Sequence, residues 1–287
     1  MPRWGMRLAR QLGALAVTVI LGGILTAEMV RHSPGFEADE RLTDARLNAE
    51  SRAAIQAERE VNSAIVPFYI RHIAGMLRGD WGVSQSLRTP VRELIRMRMP
   101  VTAEIMLAGV AGGWLLAFVL ALSTVHYPPW GRAAGILSIA LLSVPVAALA
   151  VLIFAARGPV PGIMALILFP RLFDHLRNLL AEAYAQPHVV TARAMGVGPV
   201  PVLIRHVLPI CRAQLLALAG VSVSMAFGAA IPVETLCDLP GIGQLAWKAA
   251  MARDLPVIVT LTLLITVLTQ AANAVSDWAD TRREGQA

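Results

Sequence analysis

Charge is scarce in this chain. Of its 287 residues 15% are charged and 56% hydrophobic, and the mean hydropathy is +0.61. That balance excludes an ordinary soluble domain and identifies an integral membrane protein. Lysine is nearly missing, since every one of the 25 basic residues except Lys248 is arginine. The formal charge of +6 forms no basic face, because the arginines are scattered among loops and helix ends, which argues against nucleic acid as a partner. Cys211 and Cys237 are the only cysteines. If one helix joins them, about 26 residues at about 1.5 Å each separate them by roughly 39 Å, which excludes a disulfide. No Cys/His spacing suits zinc, and no Gly-x-x-x-x-Gly-Lys-Ser/Thr loop is present to cradle ATP. The chain is therefore expected to bind no metal or cofactor and to have no catalytic residue. Energy, if used, comes from a gradient or from ATP-Mg on a partner.

What the chain has is apolar runs of membrane-crossing length. The first, residues 11–30, follows Arg3, Arg7 and Arg10 and reads as an uncleaved anchor with the N-terminus in the cytoplasm. Residues 31–100 carry mixed charge and are expected outside the membrane, with an amphipathic helix over 37–61. Further spans are expected at 101–123, 133–156, about 160–185, 207–235 and 255–276. The fourth is the weakest, because Arg171, Asp174, His175 and Arg177 in its second half must face protein, water or the cytoplasm. The expected fold is an all-α membrane protein with six transmembrane helices. Its parts are a tail and first helix (1–30), a large extracytoplasmic segment (31–100) and a five-helix core (101–287). The core holds a cytoplasmic loop at 187–200, between helices 4 and 5, and a re-entrant segment at 237–252.

By this parity the stretch "TARAMGVGPVPVLIRHVLP", residues 191–209, is cytoplasmic. Ala192, Ala194 and Gly196 are small enough for a partner's backbone to approach, and the Gly and Pro residues that follow turn the chain sharply back to the membrane. A plain tight loop between helices explains the same residues. On the outer side, "LCDLPGIGQLAW" has Pro240, Gly241 and Gly243 for a tight reversal, with Asp238 placed to cap the next helix.

The cytoplasmic stretch resembles the coupling loop of binding-protein-dependent ABC importer permeases, in the "RTARAKG" form of the dipeptide and oligopeptide group. "RGDWGVSQSLRTPVRELIRMRMPVTAEI" (78–105), "VETLCDLPGIGQLAWKAAMARDLPVI" (233–258) and "HSPGF" (32–36) are similar to other segments of that family, in the same order. The resemblance implies a transport subunit of the bacterial cytoplasmic membrane and not an enzyme. Its implied partners are a second homologous permease, two ATPase subunits, an extracytoplasmic substrate-binding protein and membrane lipid. By position, Thr191, Ala192, Arg193, Ala194 and Gly196 become ATPase-docking residues. Glu234, Asp238, Pro240, Gly241 and Gly243 become parts of a gate segment. The chain departs from the family at Pro187, His188 and Val190, where an acidic-Tyr-x-Arg lead-in is common, and at Met195, where lysine is usual.

Ser143, Ser222 and Ser224 are candidate pathway-lining residues, as are Ser138 and Gln214, although serine in membrane helices more often bonds a backbone or a neighbouring helix. Gly109, Gly112 and Gly113 suggest close helix contact. Asp238 and Asp254 read as helix caps or ion-pair partners. An ion- or proton-driven carrier acting alone is the competing function, but it lacks a charged intramembrane relay. A non-transporting scaffold with the permease fold is another.

Overall fold

A computed structural model of the chain describes residues 65–284, together with scattered helical positions between 13 and 25. The expected tail, most of the first span and the amphipathic helix at 37–61 lie outside the described residues. The described chain is helical, with α1 (Ile65–Leu77), α2 (Val91–His126), α3 (Pro128–Ser143), α4 (Val146–Ala155) and α5 (Val160–Tyr184). It continues with α6 (Pro187–Ala194), α7 (Pro199–Val202), a π turn (Leu203–Val207), α8 (Leu208–Leu236), α9 (Ile242–Met251) and α10 (Leu255–Glu284). Two units divide it: residues 1–99 with 245–268, and residues 100–244 with 269–287.

The second unit is built around α5. Its apolar residues recur at helical spacing, and Met164, Leu168, Phe169, Leu172, Phe173, Leu176 and Leu180 are all buried against α8, α3 and α4. The charged residues that made this helix a weak span candidate stay out of the core. Arg171, His175 and Arg177 are exposed, and Asp174 is half-buried beside the Ser138 hydroxyl at 3.2 Å. Lipid supplies no hydrophobic drive between helices, so close approach through small residues has to replace it. Gly109 supplies it against Met164, where any Cβ would overlap the methionine side chain. At Gly113 a Cβ would stand 3.2 Å from the Ala165 carbonyl oxygen, and at Gly112 3.3 Å from the Ala165 Cβ. Gly220 makes the same kind of contact between α8 and α10, 3.1 Å from the Ala272 carbonyl oxygen.

The run expected as the third span, 133–156, is broken in the structure: α3 and α4 meet at 104°. Val144 is extended and Pro145 follows it. A residue before proline is pushed out of the helical region, and proline has no N–H to continue the ladder. The Ser143 hydroxyl adds to the break by bonding back to the Ile139 carbonyl at 2.8 Å. At the start of α8 the π turn precedes Pro209, and the Leu208 N–H reaches back five residues to Leu203. One helix then carries Cys211 to Cys237 at its C-terminal cap; both are buried and neither is in a disulfide.

By length and composition, α2, the run 199–236 and the 255–274 part of α10 are able to cross a membrane, and the bent pair α3–α4 would be a fourth span if counted as one.

In the first unit, Phe68 and Tyr69 of α1 pack on Leu255, Val259 and Leu263 of α10. The Thr260 hydroxyl is committed to the Pro256 carbonyl at 2.7 Å, so at 2.8 Å it accepts from His72 Nε2. Burial pushes the His72 imidazole below the ordinary histidine value, and the Asp80 charge opposes that shift.

Gly109→Leu is expected to destabilise the folded protein by about 1–3 kcal/mol through overpacking against Met164. Gly228→Ala, where nothing lies within 4 Å of the added carbon, should leave stability unchanged or slightly higher. Thermal unfolding in detergent distinguishes them, and equal midpoints would refute the close-packing role of Gly109.

Candidate functional site

The segment expected on the cytoplasmic face forms a short helix, α6. Gln186 is extended, and Pro187 takes the first helical position, where a missing N–H costs nothing. The Thr191 hydroxyl bonds back to the Pro187 carbonyl at 2.9 Å. At the other end, the Gly196 N–H donates to Arg193 at 3.0 Å and the Val197 N–H to Ala192 at 3.2 Å, with Gly196 at φ +81°. This pair of bonds satisfies the last carbonyls and requires a left-handed residue. Nothing lies within 4 Å of where a Cβ on Gly196 would sit, so backbone conformation and not crowding demands glycine there.

Which residues of α6 face outward differs from the sequence expectation. Ala192 is 2% exposed and packs inward together with Val189, so its small size serves the chain's own core and it presents no surface for docking. Thr191, Arg193, Ala194 and Gly196 are exposed, joined by the apolar Val190 and Met195. Val189 belongs to the same buried cluster as Leu176 and Leu180 of α5 and Val207 before α8. A force on the outer face of α6 therefore reaches the centre of this unit through packed side chains.

The segment between α8 and α9 is organised by Glu234. This glutamate ends α8, is 0% exposed, and turns its carboxylate to the first turn of α9. Oε2 accepts the N–H groups of Gly243 at 2.6 Å and Gln244 at 3.2 Å. The Ile242 N–H goes to the Thr102 hydroxyl at 2.7 Å, and that hydroxyl donates to Glu234 Oε1, also at 2.7 Å. The donors that a helix start leaves without intrahelical partners are thus satisfied by side chains from α2 and α8, and the carboxylate favours the positive end of the helix dipole.

Two glycines make this approach possible. A Cβ on Gly241 would overlap the Glu234 carboxylate. On Gly243 it would stand 2.6 Å from the Ala230 carbonyl carbon and 2.7 Å from its oxygen. Asp238 does not cap α9, contrary to the sequence expectation. It sits at φ +49° as the left-handed residue closing α8, where the Leu239 N–H returns to the Glu234 carbonyl at 2.8 Å. Its Oδ1 accepts the Gln244 side chain at 2.8 Å. Ile242, Gly243 and Gln244 are buried in the chain, while Pro240 is exposed.

Beyond α9, Asp254 is a second buried carboxylate. Its Oδ2 accepts from the Ser84 hydroxyl at 2.5 Å, the Ser86 hydroxyl at 2.8 Å and the Ser86 N–H at 3.0 Å, fixing the loop before α2. Thr102, Gln244, Ser84 and Ser86 were not identified from the sequence, and no local pattern marks them. Of the candidate pathway residues, Ser222 is buried and accepts the Trp114 indole N–H at 3.1 Å while donating to the Ala219 carbonyl at 2.7 Å. It is an interhelical link and not pathway lining. Ser143 is exposed beside the α3–α4 bend and Ser224 is half-buried. Among the described residues no group of His, Cys, Asp and Glu is placed to hold a metal ion.

Comparison with known proteins matches residues 109–284 to a family described as binding-protein-dependent transport system inner membrane component. The chain is 27% identical to a Brucella abortus (strain 2308) protein named for a peptide transport system permease, across 94% of both chains. It is 22% identical to the Bacillus subtilis (strain 168) oligopeptide transport system permease protein AppB, over 92% of this chain and 93% of that protein. With the Escherichia coli (strain K12) oligopeptide transport system permease protein OppB it is 26% identical, over 84% and 85%.

Thr102→Val keeps the shape of the side chain and removes its hydroxyl, leaving the Ile242 N–H and Glu234 Oε1 each short of a partner. It should destabilise the protein by about 1–3 kcal/mol, and Thr102→Ser by less than about 1. Thermal unfolding in detergent measures both. A valine variant as stable as wild type would contradict the bonding assigned to Thr102.

Proposed function

The chain belongs to the binding-protein-dependent transport system inner membrane component family, and from that premise we propose that it forms half of the translocation pathway of an ATP-driven importer of peptides or similar small solutes. Relatives along most of its length carry peptide and oligopeptide transport names, which supports the substrate class. The observation that carries the coupling role is α6, a helix whose ends are fixed by Pro187 and Gly196, whose inner face is locked into the core, and whose outer face is free.

In this proposal two ATPase subunits bind ATP-Mg and receive α6 of this chain and of a second homologous permease. Thr191, Arg193, Ala194 and Gly196 offer polar and small contacts, and Val190 and Met195 offer apolar ones, 52% and 72% exposed. Closure of the ATPases moves α6, and Val189 and Ala192 pass that movement to α5 and α8. The segment from Asp238 to α9 then acts as the outer gate, with Glu234 and Thr102 holding its first helical turn, where an extracytoplasmic binding protein delivers solute. Non-helical backbone at membrane depth has to be satisfied by protein or water. The bonds from positions 242–244 to Glu234 and Thr102 meet that requirement for the start of α9.

The topology proposed with it has the N-terminus and α6 in the cytoplasm, residues 31–100 outside, and six crossings in which α3 and α4 form one bent span. A cysteine introduced at Ala53 should react with an impermeant maleimide added to intact cells. Reaction only after permeabilisation would reverse the topology.

Gly196→Ala and Gly196→Trp impose the same left-handed strain, about 1–2 kcal/mol, but only tryptophan adds bulk to the outer face of α6. In the assembled complex, Gly196→Trp should abolish solute-stimulated ATP hydrolysis while membrane insertion persists, and Gly196→Ala should retain most of it. Equal stimulation in both variants would remove α6 from the coupling path.

A further inference from the structure

The turn from α2 to α3 joins two strongly apolar helices, the first of which is long enough to cross the membrane, so the turn lies where the chain leaves lipid. Tyr127 and Trp130 are 64% and 65% exposed there, with apolar bodies and polar tips that suit the boundary between headgroups and acyl chains. Arg132 follows within the first turns of α3 and is exposed. A second guanidinium reaches the same place from α5: Arg177 Nη1 lies 3.2 Å from where a Cβ on Gly135 would be, so the glycine at 135 allows the arginine to lie across α3 three residues beyond Arg132. Among the described residues neither Arg132 nor Arg177 has a hydrogen bond or ion pair. Asp174, the carboxylate one turn before Arg177, is directed to Ser138 at 3.2 Å.

We propose that Tyr127, Trp130, Arg132 and Arg177 form a binding site for the headgroup of an anionic phospholipid. Guanidinium forks match phosphate oxygens, and two of them without carboxylate partners favour an anionic lipid over a zwitterionic one. Arg132, Ile136 and Ile139 share one helix face at spacings of four and three residues, and both isoleucines are exposed, which gives the acyl chain an apolar track leading away from the cations. The site rests on α2 and α3 being membrane helices and is independent of the transported solute.

The test uses the assembled complex in detergent, titrated with brominated phosphatidylglycerol or brominated phosphatidylcholine, whose bromines quench nearby indoles. Subtracting the signal of a Trp130→Phe complex isolates Trp130. Phosphatidylglycerol should quench it at about tenfold lower mole fraction than phosphatidylcholine, and Arg132→Gln with Arg177→Gln should abolish that difference. Arg177→Gln alone should reduce it roughly threefold, which keeps the test open if the double variant fails to assemble. Inorganic phosphate should not compete. Equal quenching by the two lipids in the wild type, a preference that survives both arginine replacements, or displacement by inorganic phosphate would each overturn the lipid site.

Discussion

The burial of Glu234 is the constraint from which the junction of α2, α8 and α9 follows. A carboxylate with no exposure is costly unless donors surround it, and a helix starting inside protein is costly unless acceptors meet its first N–H groups. Each requirement answers the other. The carboxylate takes the N–H groups of Gly243 and Gln244, and the Thr102 hydroxyl links it to the N–H of Ile242. Gly241 must then be glycine to leave room for the acid, and Gly243 must be glycine to let α9 touch the backbone of α8 at Ala230. The sequence Pro-Gly-Ile-Gly at 240–243 therefore reflects a three-way junction of α2, α8 and α9 more than a flexible turn.

At the opposite end of the same unit, α6 is stiff for a different reason. Its C-terminus is closed by two bonds around a left-handed glycine, and its inner face is sealed by Val189 and Ala192. A helix of eight residues has little stability alone, so packing and end closure have to hold it together. In the proposed coupling role this stiffness would let a small docking surface move a large helix such as α5, since a loose loop would absorb the displacement.

Much of this was legible in the sequence and part of it was not. The helix over 160–184, the glycines of α2 as contact points and the sharp turn after Ala194 all follow from local chemistry. The bend between α3 and α4 was also written locally, in Val144-Pro145, but an apolar run of the right length hid it. Ala192 shows the limit of reading small residues as partner contacts, because smallness serves an internal face equally well. Thr102 with Glu234 and Trp114 with Ser222 are separated by 132 and 108 positions, and no periodicity connects them. Such pairs arise only when helices pack, so the capping role fell in the sequence to the nearest acid, Asp238, while the fold gave it to Glu234.

The central claim is that energy enters this chain at the outer face of α6. A single cysteine at Met195, with Cys211 and Cys237 replaced, tests it most directly through bismaleimide cross-linking in membranes that contain the assembled transporter. Position 195 is expected to cross-link to the ATPase subunit, with a yield that changes when ATP is added. A cysteine at 195 that never joins the ATPase, or that reacts with impermeant reagents from outside the cell, would contradict it.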